Sequence, residues 1–496
     1  MMKCFYYLFI LLLPVMTYSQ QRYPMNAAGK AYAAMKYADA IFYYKKALKK
    51  DSLNSVAMAH LAESYLKTQQ YSAALKWYEK ALKQPAADTF GYYRYAQLLA
   101  MDGRYREAAA AYRQCRDKGW GDEHLSATIA LYEQGAAALL KDTAAVKMEL
   151  LNINSGYADF CPVFHRYGLL FLSDRPVTRA FRRISGWNGG SFLTLYQVAD
   201  TANVRNAALR TPELAARLSY APRDVHNTDN SRNSSNDSRK IGANPQLNFV
   251  PVPNQLSAKL VTPYDLRMEN HYHTGPIAFN KKQDTLFLTR NQPGWNGADV
   301  NRLQLDVFVA RRDHWELLPS LPFNSASYST GQPALHPDGH VLFFASDMPG
   351  GFGGKDIYYV MRTDSGWGTP VNAGPNVNTA GDEMFPYVAA TGRLYFSSDR
   401  WPGLGGLDIF SVQLGTGYQA VGAPENAGAP VNSSRNDFGM LLYDQGRKGF
   451  ISSDRRGNDD IYGFSLSSPI SPSSLSAWIH HPARQPRGSS LQYSDK

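Results

Sequence analysis

Several groups of residues carry types and spacings that could do chemistry. His271-Tyr-His273 would place two imidazoles on one face of a strand, where they could hold a metal ion. No cysteine or third histidine lies near them, so a structural or surface role is the competing reading. Asp174, Asp347, Asp399 and Asp454 each follow a serine at the end of an apolar run. Gathered into a ring, such carboxylates could serve acid–base work. A residue that recurs with every run more often solves a problem of the run itself, here by accepting backbone N–H groups in the turn that follows. Two glycine-rich loops, Pro349-Gly-Gly-Phe-Gly-Gly354 and Pro402-Gly-Leu-Gly-Gly406, could cradle phosphate or simply permit tight turns. Arg456-Gly-Asn-Asp-Asp460 offers oxygens to a cation but lacks the acidic spacing of a calcium loop. His336 and His340 flank a Pro-Asp-Gly turn, and His480-His481 lies near the end of the chain. A phosphate loop built on Gly29-Lys30 would need glycine at 24, where the chain has Pro24. Gly-x-Ser-x-Gly and His-Glu-x-x-His are both absent. The residues therefore point to no catalytic group, no cofactor and no metal.

The elements that carry these residues fall into two arrays. Tyr37, Tyr71 and Tyr105 are spaced by 34 residues, as are Ala40, Ala74 and Ala108. Tyr44, Tyr78 and Tyr112 keep the same phase, followed by Ala47, Ala81 and Cys115. Small residues in fixed columns let helices approach closely, and the tyrosines fill the gaps between layers. Ala62 and Ala96 supply the small position of the preceding helix. These columns resemble the tetratricopeptide repeat, a pair of helices in 34 residues. Three repeats over about 21–122 and a capping helix over 123–140 give an α-solenoid spanning 21–150.

Beyond 150 the chain repeats at about 52–57 residues. Apolar strands end in Ser-Asp: Leu169-Leu-Phe-Leu-Ser-Asp174, Val341-Leu-Phe-Phe-Ala-Ser-Asp347, Leu394-Tyr-Phe-Ser-Ser-Asp399 and Phe450-Ile-Ser-Ser-Asp454, with Leu286-Phe-Leu-Thr-Arg290 as a degenerate copy. Pro162, Pro276, Pro333 and Pro386 precede four of these ends, with Gly439 in the fifth place. A second strand reads Asp-Ile/Val-aromatic at Asp306, Asp356, Asp408 and Asp460. Short strands recurring near 50 residues read as propeller blades, and the motifs resemble the TolB-type repeat. The fold class expected is thus α + β multidomain: an N-terminal α-solenoid, then an all-β propeller over 151–466. Five blades are recognisable. The wide interval between Asp174 and Arg290 leaves room for a sixth, but a polar insertion over about 200–262, without strand period, is the preferred reading.

The chain has 496 residues, with Lys+Arg 52 against Asp+Glu 42 and a net charge of +10. Residues 20–150 hold 19 basic and 13 acidic residues, net +6, whereas 151–466 hold 29 and 28. The helical array is the basic module, suited to an acidic partner or an anionic surface, or simply to solubility. Lys3 followed by the apolar run Phe5–Met16 and small Thr17 and Ser19 reads as a secretory leader cleaved after Ser19. That predicts a periplasmic protein, with association to the outer membrane as a further option. No later run is long enough to span a bilayer. Cys115 and Cys161 fall in different arrays and read as buried hydrophobes. Residues 467–496, rich in Ser and Pro, read as a disordered tail.

Leader, tetratricopeptide repeats and TolB-type propeller in this order resemble the Bacteroidota envelope proteins related to PorE of the type IX secretion and gliding machinery. In that family an OmpA-like peptidoglycan-binding domain ends the chain, where this sequence has the Ser/Pro-rich stretch. The resemblance implies envelope or secretion proteins as partners, and peptidoglycan-associated components beside them; nucleic acid is not expected. The leading expectation is a non-enzymatic periplasmic scaffold. Its partner-binding candidates are Arg94, Arg104 and Arg113 in the third repeat, and Phe352 and Leu404, apolar residues in glycine-rich turns. A propeller binding peptidoglycan or glycan fragments through its aromatic residues is the second hypothesis, and a propeller lyase or hydrolase the third.

Overall fold

The computed structural model describes residues 24–84, 89–140, 146–176, 182–204, 238–241, 260–264, 266, 273–291, 302–312 and 314–466. The leader, Cys4, His271, His480-His481, most of the polar insertion and the tail over 467–496 lie outside them.

The helical array is built as the columns require. Helix α1 covers 24–33, followed by α2 (Tyr37–Leu48), α3 (Ser55–Lys67), α4 (Tyr71–Leu82), α5 (Thr89–Met101), α6 (Tyr105–Asp117) and the cap α7 (Glu123–Glu133). The alanine columns mark where helices touch: Ala28, Ala40, Ala62, Ala74, Ala96 and Ala108 are all fully buried. Any larger side chain there would push a helix pair apart. Asn54 and Asp122 cap α3 and α7 by accepting the N–H of Ala57 and Leu125. No helix among the described residues is long and apolar enough to cross a membrane.

The second half closes into a five-bladed propeller. The sheets are β2 (Asp159–His165), β3 (Gly168–Ser173), β5 (Thr194–Val198) and β7 (Thr262–Pro263); β8 (Thr274–Phe279), β9 (Thr285–Asn291), β10 (Leu303–Ala310) and β11 (Trp315–Leu317); β12 (Thr330–Leu335), β13 (Val341–Ser346), β14 (Asp356–Thr363), β15 (Gly366–Trp367) and β16 (Val371–Asn372); β17 (Glu383–Val388), β18 (Arg393–Ser398), β19 (Asp408–Leu414) and β20 (Ala420–Asn426). The fifth blade is β21 (Asp437–Tyr443), β22 (Lys448–Ser453) and β23 (Asp460–Leu466), completed by β1 (Val146–Leu150) on its outer edge. Val146 pairs with Leu466 and Leu150 with Tyr462. An N-terminal strand therefore closes the ring, and the propeller begins at Val146 instead of 151. The innermost strands meet around the axis in the order β2, β8, β12, β17, β21 and back to β2. Contact between β2 and β8 leaves no place for a sixth blade. The interval after Asp174 contains an insertion, but one with structure of its own: β4 (Arg182–Ser185) pairs with β6 (Ser238–Ile241), where the sequence shows no strand period.

The second strand of each blade is buried on both faces by neighbouring blades, so it reads as a continuous apolar run with no alternation; all six residues of β13 are buried. The innermost strands carry a bulge, visible as a register shift in each. Cys161, Gln332 and Phe385 sit at the bulge with φ of 50°, 55° and 53°, each just before a proline. Gly439 has φ 66° and occupies this same position. It thus matches the residue before the proline; Met440 stands in the proline column. Phe385 packs on Phe438 with centroids 4.5 Å apart, and Phe160 lies 5.9 Å from Phe438, so the inner strands bring aromatic rings together.

Candidate functional site: the array–propeller junction

The repeated Ser-Asp residues solve the same problem in the four blades that carry them. One carboxylate oxygen accepts the N–H of the residue just ahead of the innermost strand: Ala158 to Asp174 at 2.8 Å, Ser329 to Asp347 at 2.5 Å, Asp382 to Asp399 at 2.8 Å and Asn436 to Asp454 at 2.8 Å. The aspartates of the third strands organise the glycine-rich loops. Asp356 accepts the N–H groups of Phe352 and Gly353, and Asp408 those of Leu404 and Gly405. A Cβ on Gly353 or Gly405 would strike the carbonyl oxygen of Thr379 or Ser434, so glycine is required for loop and neighbouring segment to touch. The phosphate reading of these loops finds no support in this use of their N–H groups.

A second repeated residue escaped the sequence reading. Asn378 accepts the N–H of Ile357 (2.8 Å) and donates to its carbonyl (2.9 Å). Asn432 does the same for Ile409, Asn154 for Ile461 and Asn324 for Leu305. The side-chain amide completes a strand edge that has no further strand at that point. The spacing of 54 between Asn324, Asn378 and Asn432 is the signal that could have revealed it.

The free oxygens of two Ser-Asp residues turn to the helical array. Asp454 accepts from the Tyr71 hydroxyl and from Asn436, whose amide also donates to Tyr71 at 2.7 Å. Asp459 accepts from Gln69 at 3.0 Å. Asp399 accepts from Gln97 at 3.4 Å and lies 3.9 Å from Arg94. The array is pinned further by Ser434 on the Met101 carbonyl and by Ala429 N–H on the Leu139 carbonyl. At the other end, Trp187 between β4 and β5 donates to the Lys67 carbonyl (2.8 Å) and meets Tyr37 edge-on at 4.8 Å. The array therefore spans blades 1, 5 and 4. One cation of the array, Arg94, thus faces a carboxylate of the chain's own propeller.

Burial is severe here. It pushes the Asp454 and Asp399 carboxyls above the ordinary range, Asp382 adding to the effect on Asp399 and Arg94 opposing it. Burial, then Asp454, holds Asp459 up to about 7. Burial works against the charge on Arg94, but Glu63 at 3.8 Å and Asp399 outweigh it and keep the guanidinium protonated.

The candidate residues separate accordingly. Arg94 is largely buried in the junction and faces inward. Leu404 is wholly buried, in one hydrophobic cluster with Ala108, Leu125, Ile129, Tyr132 and Ala136 of the last repeat and cap. Both are therefore corrections: their partner is the rest of this chain, because the array lies on the loops of blade 4. Arg104 and Arg113 are exposed and paired within the array, to Glu107 at 2.6 Å and Glu133 at 3.6 Å. Phe352 is half exposed. His273 accepts the Leu193 N–H at 3.1 Å and lies 3.0 Å from the Ser185 hydroxyl, joining the insertion to blade 1. His336 and His340 both contact Asp338 in their turn. Among the described residues no group of three or more His, Cys, Asp or Glu is placed to hold a metal ion. Cys115 and Cys161 are buried and unbridged.

One arginine departs from its column. In blade 1, Arg175 pairs with Asp159 (3.0 Å), and in blade 5 Arg455 pairs with Asp437 (2.5 Å), the first residue of the innermost strand in each case. Arg400 has the same place in blade 4 but reaches Asp122 at 2.7 Å, the cap of α7, with its guanidinium over Trp120 and Tyr93. Its own blade's acid, Glu383, is left with the hydroxyls of Thr379 and Ser398 and the Thr379 N–H. Burial pushes Glu383 up to about 8, against those hydrogen bonds.

A tetratricopeptide-repeat family model matches residues 31–100, within the array described above. No curated protein matches the chain. Among solved structures, an endo-arabinase from Bacteroides thetaiotaomicron is 11% identical, over 65% of this chain and 97% of that one, with a TM-score of 0.35. A gluconolactonase from Xanthomonas campestris is 13% identical over 42% of this chain and 65% of that one (TM-score 0.27), and an α-L-arabinofuranosidase from Lactobacillus brevis is 8% identical over 64% and 92% (TM-score 0.34). Likeness at this level says nothing about activity. The chain combines tetratricopeptide-type helical repeats with a five-bladed propeller, an architecture suited to protein interaction.

Proposed function

We propose that this protein is a non-enzymatic periplasmic scaffold of the cell envelope, in which two repeat arrays fused at one junction offer their outer surfaces to other proteins. The observation that carries the reading is the double use of the repeated aspartates. Asp399 and Asp454 hold their own blade with one oxygen and the helical array with the other. Carboxylates spent in this way support a rigid composite platform better than a reaction centre. The leader-like N-terminus and the order of the arrays support partners among envelope and secretion proteins, with type IX secretion or gliding as the finer reading.

The test is affinity isolation of the full-length chain from the envelope fraction of producing cells. The result expected is one or more defined proteins at near-stoichiometric amounts, re-formed from purified components. Recovery of the chain alone would overturn the proposal, and turnover of a glycan or peptide by the purified protein would put an enzyme in its place.

A further inference from the structure

The junction shows what a glycine-rich loop of this propeller does when it is occupied. Residues 403–406 of blade 4 are buried throughout, and Leu404 has no exposed surface because the helical array sits on it. The loop of blade 3 is built on the same plan. Asp356 holds the N–H groups of Phe352 and Gly353 as Asp408 holds those of Leu404 and Gly405. Its tip residue is again apolar, and larger. Yet residues 349–354 are exposed throughout, and Phe352 is 50% exposed.

The polar half of the junction repeats as well. In blades 4 and 5 the second oxygen of the Ser-Asp carboxylate takes a donor from the array. In blade 3 the second oxygen of Asp347 faces Arg302 at 3.6 Å, and about a third of each side chain is exposed. The surface is continuous with the established junction. Lys355 donates its N–H to Asp382, Gly354 donates to the Gly381 carbonyl, and Asp382 is adjacent to Asp399, on which the array rests.

We propose that the loop of residues 349–354 is a docking knob for a second helical-repeat protein, one that gives Phe352 a cleft between small-residue helices and Asp347 a hydrogen-bond donor. The occupant is helical because the same loop in the adjacent blade is covered by a helical array. It is a different chain because this chain's own array already holds Leu404 in the corresponding cluster. A rigid loop whose N–H groups are already paired presents an apolar ring at little ordering cost, which suits an anchor residue.

This inference rests on the scaffold reading, and the two fail separately. A photo-crosslinking amino acid replaces Phe352 in the full-length chain in producing cells, and the crosslinked peptide is sequenced. The expected adduct is a helical segment with alanine or glycine at i, i+3 or i+4 spacing, in a protein other than this one. Phe352→Asp then removes that protein from the isolated complex at least tenfold, with the melting temperature of the purified chain unchanged. An adduct to an extended segment, to lipid or glycan, to this chain itself, or no adduct, overturns the docking knob. Stoichiometric partners that survive Phe352→Asp leave the scaffold standing and sink only this inference, whereas their absence from the wild-type complex sinks the scaffold.

Discussion

At the scale of single residues, Arg400 and Glu383 show how the junction redirects a blade. A buried carboxyl with no cation is held neutral. Its ordinary value is 4.5 and its folded value about 8, so the folded chain keeps a proton that the unfolded chain releases. Stability from this group is fully present below the ordinary glutamate range and is lost as pH rises towards 8, at no more than about 1.4 kcal/mol per pH unit. Asp454 and Asp459 shift in the same sense, so Glu383 accounts for part of the slope. Glu383→Gln can keep the bonds to Thr379 and Ser398 without a proton to lose. It should be near neutral at pH 5 and more stable than wild type by about 2–3 kcal/mol at pH 8.5 in urea titrations; equal slopes for the two proteins would refute the assignment. Arg400 gives a second expectation. Asp122→Asn keeps the helix cap, since asparagine caps as well as aspartate, but removes the counter-ion of a buried guanidinium, a loss of about 3–5 kcal/mol when nothing replaces it. Here Glu383 can replace it, as Asp159 and Asp437 serve Arg175 and Arg455. The cost of Asp122→Asn should therefore be larger in a Glu383→Gln background than alone, by about 1 kcal/mol or more. Additivity in the double-mutant cycle would show that Arg400 does not return to its own blade.

At the scale of elements, the asparagine clamps carry a graded expectation. Asn378 and Asn432 are buried, and each satisfies both backbone groups of a buried isoleucine, whereas Asn324 is partly exposed. Replacement by alanine leaves the isoleucine N–H unpaired, while its carbonyl keeps the N–H of Ala373 or Ala427. The cost should be about 1–3 kcal/mol at Asn378 or Asn432 and smaller at Asn324, where water can enter; chemical denaturation of the three variants gives the order. These clamps also show where sequence reading stops. The helical columns were legible because identical residue types recur every 34 positions, and small residues at contacts have a plain steric meaning. The Ser-Asp strands were legible because a strand buried on both faces must be continuously apolar. A lone asparagine among turn residues, where asparagine is common for other reasons, carries no such mark even at a regular 54-residue spacing. The closing strand Val146–Leu150 reads as part of the helical half for a related reason: five residues of mixed polarity acquire their meaning only from the distant edge of β23 that they complete. Gly439 reads as a member of the proline column because both residue types mark turns; its positive φ puts it one position earlier.

At the scale of the whole molecule, pairing between the two arrays was the least legible feature. Three residues of the junction carry a local explanation in the sequence: Leu404 as a loop tip, Arg94 as a cation of the third repeat, Tyr71 as a repeat column. Each turned out to be satisfied by a group several hundred residues away or in the other array, as Tyr71 is by Asp454 and Gln97 by Asp399. The consequence is thermodynamic coupling. Separate domains joined by a flexible linker unfold separately, but a junction that buries Leu404 and Arg400 makes undocking expensive, since each half would expose apolar surface and lose the hydrogen bonds that tie Asp399, Asp454 and Ser434 to the array. The full chain should therefore show one calorimetric transition. Leu404→Ala removes a buried leucine and should cost about 2–5 kcal/mol while leaving a single transition. Leu404→Asp places a charge in the cluster of Tyr132 and Ala136 and should separate the melting of the array from that of the propeller. Phe352→Asp, at the equivalent position of blade 3, should leave the transition where it is. Two transitions in the wild-type chain would show that the arrays are neighbours without being coupled, whereas a Leu404→Asp variant that still melts as one would show that the loop of blade 4 does not carry the coupling.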